Sequence, residues 1–206
     1  MANHVQFMVT FHQINEAATT KLNEMYGRIR NEEGSHAWFS DMFVEGDLTY
    51  EDSEKFSWTT ENIGPKWCYL EEFNGESFNG TSAWSAPEDG LVKLLEILEQ
   101  FDPDIITSIT YEDECPNFAG CNVYEGSDNI DSTYSDGVEI REMVIYESEF
   151  LTEESWNDED DEWANEEAEE AFNEELWETL NNSHWTFIND TVQAIGEEQV
   201  LRAEGG

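Results

Sequence analysis

The chain has 206 residues, 49 of them Asp or Glu and only 8 Lys or Arg, for a formal net charge of -41 at pH 7. A surface of that sign repels nucleic acid and anionic membranes and attracts basic partners, which argues against direct nucleic-acid binding and membrane association. Hydrophobic residues at 38% and aromatics at 13% exclude a simple acidic disordered tail, because disorder needs low hydrophobicity as well as high charge.

Met1 to Phe11 has neither the basic head nor the long apolar run of a signal peptide. No stretch approaches the roughly 18 uninterrupted apolar residues of a membrane span. Three cysteines, Cys68, Cys115 and Cys121, suit a reducing cytoplasm better than a disulfide scaffold. A Cys115–Cys121 bridge across a hairpin is the lesser alternative.

In chain order, residues 4 to 11 alternate as a strand with Val5, Phe7 and Val9 on one face. Residues 15 to 30 read as a helix capped by Asn15, with Ala18, Leu22, Met25 and Ile29 as its apolar stripe. Trp38, Phe39, Met42 and Phe43 suggest a short helical turn. Residues 48 to 58 read as a strand or an aromatic-packed loop. Residues 67 to 73 form the next strand, with Trp67, Tyr69 and Glu71 facing away from Cys68 and Leu70, and residues 78 to 84 form another. Ser85 and Glu88 have the spacing of a capping box, and Pro87 is tolerated in a first turn. The helix they start carries Leu91, Leu94, Leu95, Leu98 and Phe101 on one face and stops at Asp102-Pro103. Strands are expected at 104 to 111, 118 to 124 and 137 to 146, the last two separated by a Gly/Asp/Asn/Ser-rich turn region.

This order predicts an α+β fold, a ferredoxin-like sandwich of βαββαβ type with additional strands. The composition shifts near residue 150, so residues 1–150 are expected to form the ferredoxin-like domain and 151–206 an acidic helical extension docked on it. Ala164, Ala168, Phe172, Leu176 and Leu180 recur every four residues as a helical face. Glu162, Glu166, Glu169, Glu170 and Glu174 fall largely elsewhere around that helix. A separate last helix is expected after Ser183, with Trp185, Ile188, Val192 and Ile195 inward, and with residues 202–206 fraying.

Gly64-Pro65-Lys66-Trp67, Ser82-Ala83-Trp84-Ser85-Ala86-Pro87, Tyr111-Glu112 and Phe118-Ala119-Gly120 resemble the YubB-type ferredoxin-like domain family of plasmid and phage proteins. The resemblance spans roughly residues 1–147, and its specific signal lies between 64 and 124. It implies a ferredoxin-like fold and a mobile-element origin, and it carries over no catalytic residue. It suggests architectural roles for Trp67 and Trp84, packing sheet against helices, and for Gly120, allowing a bend or close approach between strands. The first strand lacks the family's usual motif, and the acidic C-terminal part lies outside the resemblance.

No catalytic, cofactor or metal motif stands out. The chain has no GxxxxGK, GxGxxG or GxSxG pattern, and Asp158 to Glu162 lacks the glycine-centred pattern of an EF-hand. Cys115 and Cys121, without a second pair, are weak zinc ligands. The chain reads as non-enzymatic and without cofactors. Residues 149 to 178 hold fifteen carboxylates and no Lys or Arg. Duplex DNA presents a phosphate charge about every 1.7 Å of axis, and an acid-bearing helix can present a comparable stripe. The expected partner is a basic, DNA-binding host protein, met by Glu159, Asp160, Asp161, Glu162, Glu166, Glu169, Glu170 and Glu174 in the cytoplasm of the host. Trp156 is a candidate anchor; Trp163 and Trp177 would also serve if exposed, though core packing is the stronger reading for both. An acidic protein-interaction module without DNA mimicry, a phage assembly protein and a salt-adapted protein are the alternatives. A homodimer could join two acidic faces, provided an apolar interface offset their repulsion.

Overall fold

Alternation along the first strand sorts Val5, Phe7, Val9 and Phe11 to one side of β1 (His4–Gln13), and all four are buried. A computed structural model of the chain describes residues 3–29, 37–43, 52–114, 117–157 and 162–205. β1 is followed by α1 (Glu16–Tyr26), a 3-10 turn (Phe39–Phe43) and α2 (Asp52–Asn62). β2 (Cys68–Phe73), β3 (Ser77–Ala83), α3 (Glu88–Leu98), β4 (Ile106–Asp113), β5 (Phe118–Glu125) and β6 (Asp128–Asp136) come next. α4 (Gly137–Glu147), the two-residue strands β7 (Trp156–Asn157) and β8 (Glu162–Trp163), and α5 (Glu166–Gly205) complete the order.

Six strands form one antiparallel sheet in the order β2-β3-β1-β4-β5-β6. The first four strands follow ferredoxin-like topology: β3 lies between β1 and β2, and β4 takes the other side of β1. β5 and β6 extend the β4 edge. The result is a mixed α/β sandwich with extra strands and a long C-terminal helix.

One sheet face is covered by α1 and α3. Asn15 caps α1 by accepting from the Ala18 N–H at 2.9 Å, and Ala18, Leu22 and Met25 turn inward. Leu91, Leu94, Leu95 and Leu98 of α3 join Val9, Phe78 and Ile109 in the largest core. The expected Ser85 capping box does not form: Pro87 occupies the cap without a side-chain hydrogen bond. The Ser85 carbonyl accepts from the Ser82 hydroxyl at 2.7 Å instead, and Pro87 O receives the Leu91 N–H.

The opposite face is covered over β4 and β5 by α4 and α5. Ile106, Cys121 and Val123 meet Ile188 and Ile195, while Ala119, Ile140 and Val144 meet Ala168, Phe172, Leu176 and Leu180. Ile106 and Ile109 are three residues apart on β4, so they serve opposite faces. Cys68 and Cys121 are buried free thiols, and Cys115 lies outside the described residues.

Three expectations are corrected. The strand expected at 137 to 146 is helix α4, and the expected turn before it is strand β6. Asp136 ends β6 and caps α4 in a reciprocal box with Glu139, so Ile140 and Val144 are buried four apart rather than alternately. The part of 48 to 58 that is described, from residue 52, is helical. Its Phe56 packs edge-to-face on Trp38 at 5.1 Å. No helix break follows Ser183: α5 is continuous over 40 residues. The Leu180–His184–Ile188 spacing carries the buried stripe through that point, and no Gly or Pro interrupts it.

The two tryptophans of the resemblance do not pack the sheet against its helices as suggested. Trp67 stacks on Tyr69 at 5.1 Å on the face away from Cys68. Trp84 is 55% exposed at a φ of 72°. Gly120 does allow close approach: a Cβ there would stand 2.5 Å from the Tyr111 ring and 2.8 Å from Thr133 O.

Candidate interaction surface

At about 1.5 Å of rise per residue, a 40-residue helix extends about 60 Å. Asn165 starts it by accepting from the Ala168 N–H at 3.0 Å. Glu166, Glu167 and Glu169 occupy the first turn, where the helix dipole favours negative charge. Ala168, Phe172, Leu176 and Leu180 face the protein. On the outward side, Glu166, Glu170, Glu174 and Glu178 are exposed at every fourth position, about 6 Å apart along the axis.

Two tryptophans share this outward side. Trp177 is 39% exposed and Trp185 62% exposed. With 3.6 residues per turn, Glu170, Glu174, Trp177, Glu178 and Trp185 fall within about 100° of arc. The surface therefore combines a line of carboxylates with large aromatic rings.

The few cations are mostly engaged elsewhere. Lys21 and Arg28 both hold Glu24, at 3.3 and 3.0 Å, and pull its carboxyl below the usual range. Lys55 pairs with Asp41 at 2.9 Å. Lys93 donates to Asn62 at 2.6 Å. Arg141 lies 3.9 Å from the Trp156 ring centroid. Arg202 bridges Glu125 and Glu198 at 2.9 and 3.2 Å. Among the described residues, no carboxylate from Glu166 to Glu178 has a cationic partner.

The sequence-predicted residues divide accordingly. Glu166, Glu169, Glu170 and Glu174 are brought together as exposed groups on the first turns of α5, with Glu162 exposed on β8 just before them. Glu159, Asp160 and Asp161 lie outside the described residues. Trp156 is half-buried: it meets Trp163 edge-to-face at 4.9 Å and carries Arg141 on its ring. Trp163 in turn packs on Phe172 at 4.7 Å. These contacts give Trp156 a packing role rather than that of a free anchor.

Two exposed aromatics run against the sequence expectation: Trp177, for which core packing is the stronger reading, and Trp185, expected inward. A helix boundary at Ser183 shifts the expected inward face, and the continuous α5 has no such boundary. Following the stripe Leu176–Leu180–His184–Ile188 through that point places Trp185 outside. The inward position belongs to His184, whose burial lowers its pKa.

Among the described residues, no group of three or more His, Cys, Asp or Glu side chains converges to hold a metal ion, and no helix is long and apolar enough to cross a membrane. Comparison of the chain with protein-family models, with curated proteins and with solved structures finds no match.

Proposed function

We propose that the protein binds a basic, DNA-binding host protein and inhibits it by presenting α5 in place of a DNA backbone. The carrying observation is the exposed ridge Glu166–Glu170–Glu174–Glu178, with no cationic partner among the described residues. Its repeat of about 6 Å is close to two phosphate steps of one DNA strand, at about 3.4 Å each. Arg side chains that grip phosphates can grip these carboxylates in bidentate fashion. Such charge speeds encounter and selects partners, while tight binding needs desolvated anchors. Trp177 and Trp185 provide them. No turnover and no cofactor are required. The setting proposed is the host cytoplasm during phage or plasmid carriage, as the resemblance of residues 64–124 implies.

The test is capture of host proteins by the intact chain and by a variant with Glu166, Glu169, Glu170 and Glu174 changed to Gln. A DNA-binding protein held by the first, lost with the second and displaced by duplex DNA supports the proposal. Capture that DNA does not displace, and that Trp177→Ala with Trp185→Ala abolishes, favours the second reading. In that reading the exposed tryptophans serve an interaction module without DNA mimicry. No specific partner at physiological salt overturns both.

A further inference from the structure

Half of one sheet face is open and nearly free of charge. α4 and α5 pack on that face over β4 and β5. β1 lies inside the sheet, between β3 and β4, yet its residues on the same face, His4, Gln6 and Met8, are exposed, Met8 at 48%. Neither β1, with 10 residues, nor β3, with 7, contains an Asp, Glu, Lys or Arg. In a chain where 49 of 206 residues are acidic, that absence marks this face off from the rest of the surface.

Strand register gives the layout. Met8 stands between Asn79 and Thr110, and Gln6 stands between Thr81 and Glu112. Tyr69 of β2 is the next neighbour of Thr81. Half-buried Trp67 stacks on Tyr69 at 5.1 Å and meets the His4 ring edge-to-face at 5.1 Å. Carboxylates stand at the margins: Glu112 on β4, and Glu71 on β2, which accepts from the Thr81 hydroxyl at 2.6 Å. A solvated antiparallel sheet face needs only polar residues. Methionine, aromatic rings and uncharged polar groups at the centre, with charge confined to the margin, are the composition of a protein interface.

We propose that this open face is the contact surface of a homodimer, in which two copies pack sheet on sheet. A basic partner is drawn to carboxylates, not to strands that have none. A second chain of charge -41 meets the least repulsion where charge is missing. The same flat face on both copies also satisfies a two-fold interface. Sheets packed face to face stand about 10 Å apart, so facing margins are separated by more than the screening length of about 8 Å at physiological salt. The face is about 15 Å across its three strands and about 25 Å along them. That is smaller than a standard interface, which makes the dimer reversible rather than obligate. The contact uses no residue of the α5 ridge and does not depend on the function proposed above.

Sedimentation velocity of the full chain, over a wide range of protein concentration and at low and high monovalent salt, tests the assignment. The expected result is a monomer–dimer equilibrium that salt strengthens, because screening relieves the repulsion between like-charged copies. Met8→Glu and Gln6→Glu, made separately, each place a carboxylate at the centre of the face, on side chains that already point to solvent. Each should weaken the dimer at least tenfold, with the urea midpoint of the monomer near that of the parent chain. Trp177→Ala combined with Trp185→Ala should leave the dimer unchanged. A monomer at every concentration and salt overturns the proposal. So does a dimer that both β1 variants leave intact, a dimer that the α5 double variant breaks, or one that salt weakens.

Discussion

His184 lies on the buried side of α5 at 6% exposure, and burial lowers its pKa from the ordinary 6.5. The unfolded chain then takes up a proton at a pH where the folded chain resists it. The stability associated with neutral His184 is complete above about pH 6.5 and is lost as pH falls below it. His12, also desolvated, acts in the same direction. Glu88 and Glu112 act oppositely: burial raises both above 4.5, so their contribution falls as pH rises through that region. A pair of proteins differing only at His184 separates these effects. Between pH 7.5 and 5.5 the urea midpoint should fall further for the parent chain than for His184→Leu, and equal shifts would remove His184 as a source of acid sensitivity. Trp84 raises a different residue-scale point. A non-glycine residue at a φ of 72° carries strain of roughly 1–3 kcal/mol, yet most of its indole surface is not buried in return. Its sequence neighbours marked a turn before a helix, but backbone sign and side-chain direction were not legible there. Both follow from where β3 leaves the sheet.

At the scale of elements, legibility followed apolar periodicity. β1, α1, β2, β3 and α3 each carry an alternating or three-to-four pattern, and each formed close to where that pattern lies. β6 has no such pattern, because its residues are mostly exposed and its place is set by backbone pairing with β5. Local apolar content therefore drew the strand assignment into the helix that follows. The overlooked signal was Asp136 with Glu139. Asp136 accepts from the N–H groups of Val138 and Glu139 at 2.9 and 3.0 Å, and the Glu139 carboxylate accepts the Asp136 N–H at 3.1 Å. Replacing Asp136 by Ala should cost about 1 kcal/mol, read from the urea midpoint, with Asp136→Asn close to the parent because Asn caps nearly as well. An unchanged midpoint for Asp136→Ala would show that packing of Ile140 and Val144 alone holds α4. The same distinction governs α5. The face of its first half was readable from spacing, whereas its continuity through Ser183 depends on Ile188 and Ile195 finding β4 and β5.

For the whole molecule, a charge of -41 opposes the compact state. Raising monovalent salt from about 10 mM to 150 mM shortens the screening length from roughly 30 to 8 Å. Thermal unfolding should respond with a rise in Tm of at least about 3 °C, equivalent to roughly 1 kcal/mol for a chain of this size. A fall would mean that pairs such as Lys55–Asp41 and Arg202–Glu125 outweigh the general repulsion. By itself the sequence determined the sign of the electrostatic field, the presence of a core and the α+β class, because charge and hydrophobic period are local and additive. It also placed Glu166, Glu169, Glu170 and Glu174 away from the helix's apolar face. Tertiary structure alone decided that Trp156 packs under Arg141 while Trp177 and Trp185 face outward, and that the sheet face under α4 and α5 stays open at β1. Those outcomes depend on which distant surfaces become neighbours, and strand pairing and helix docking settle that through contacts far apart in the chain.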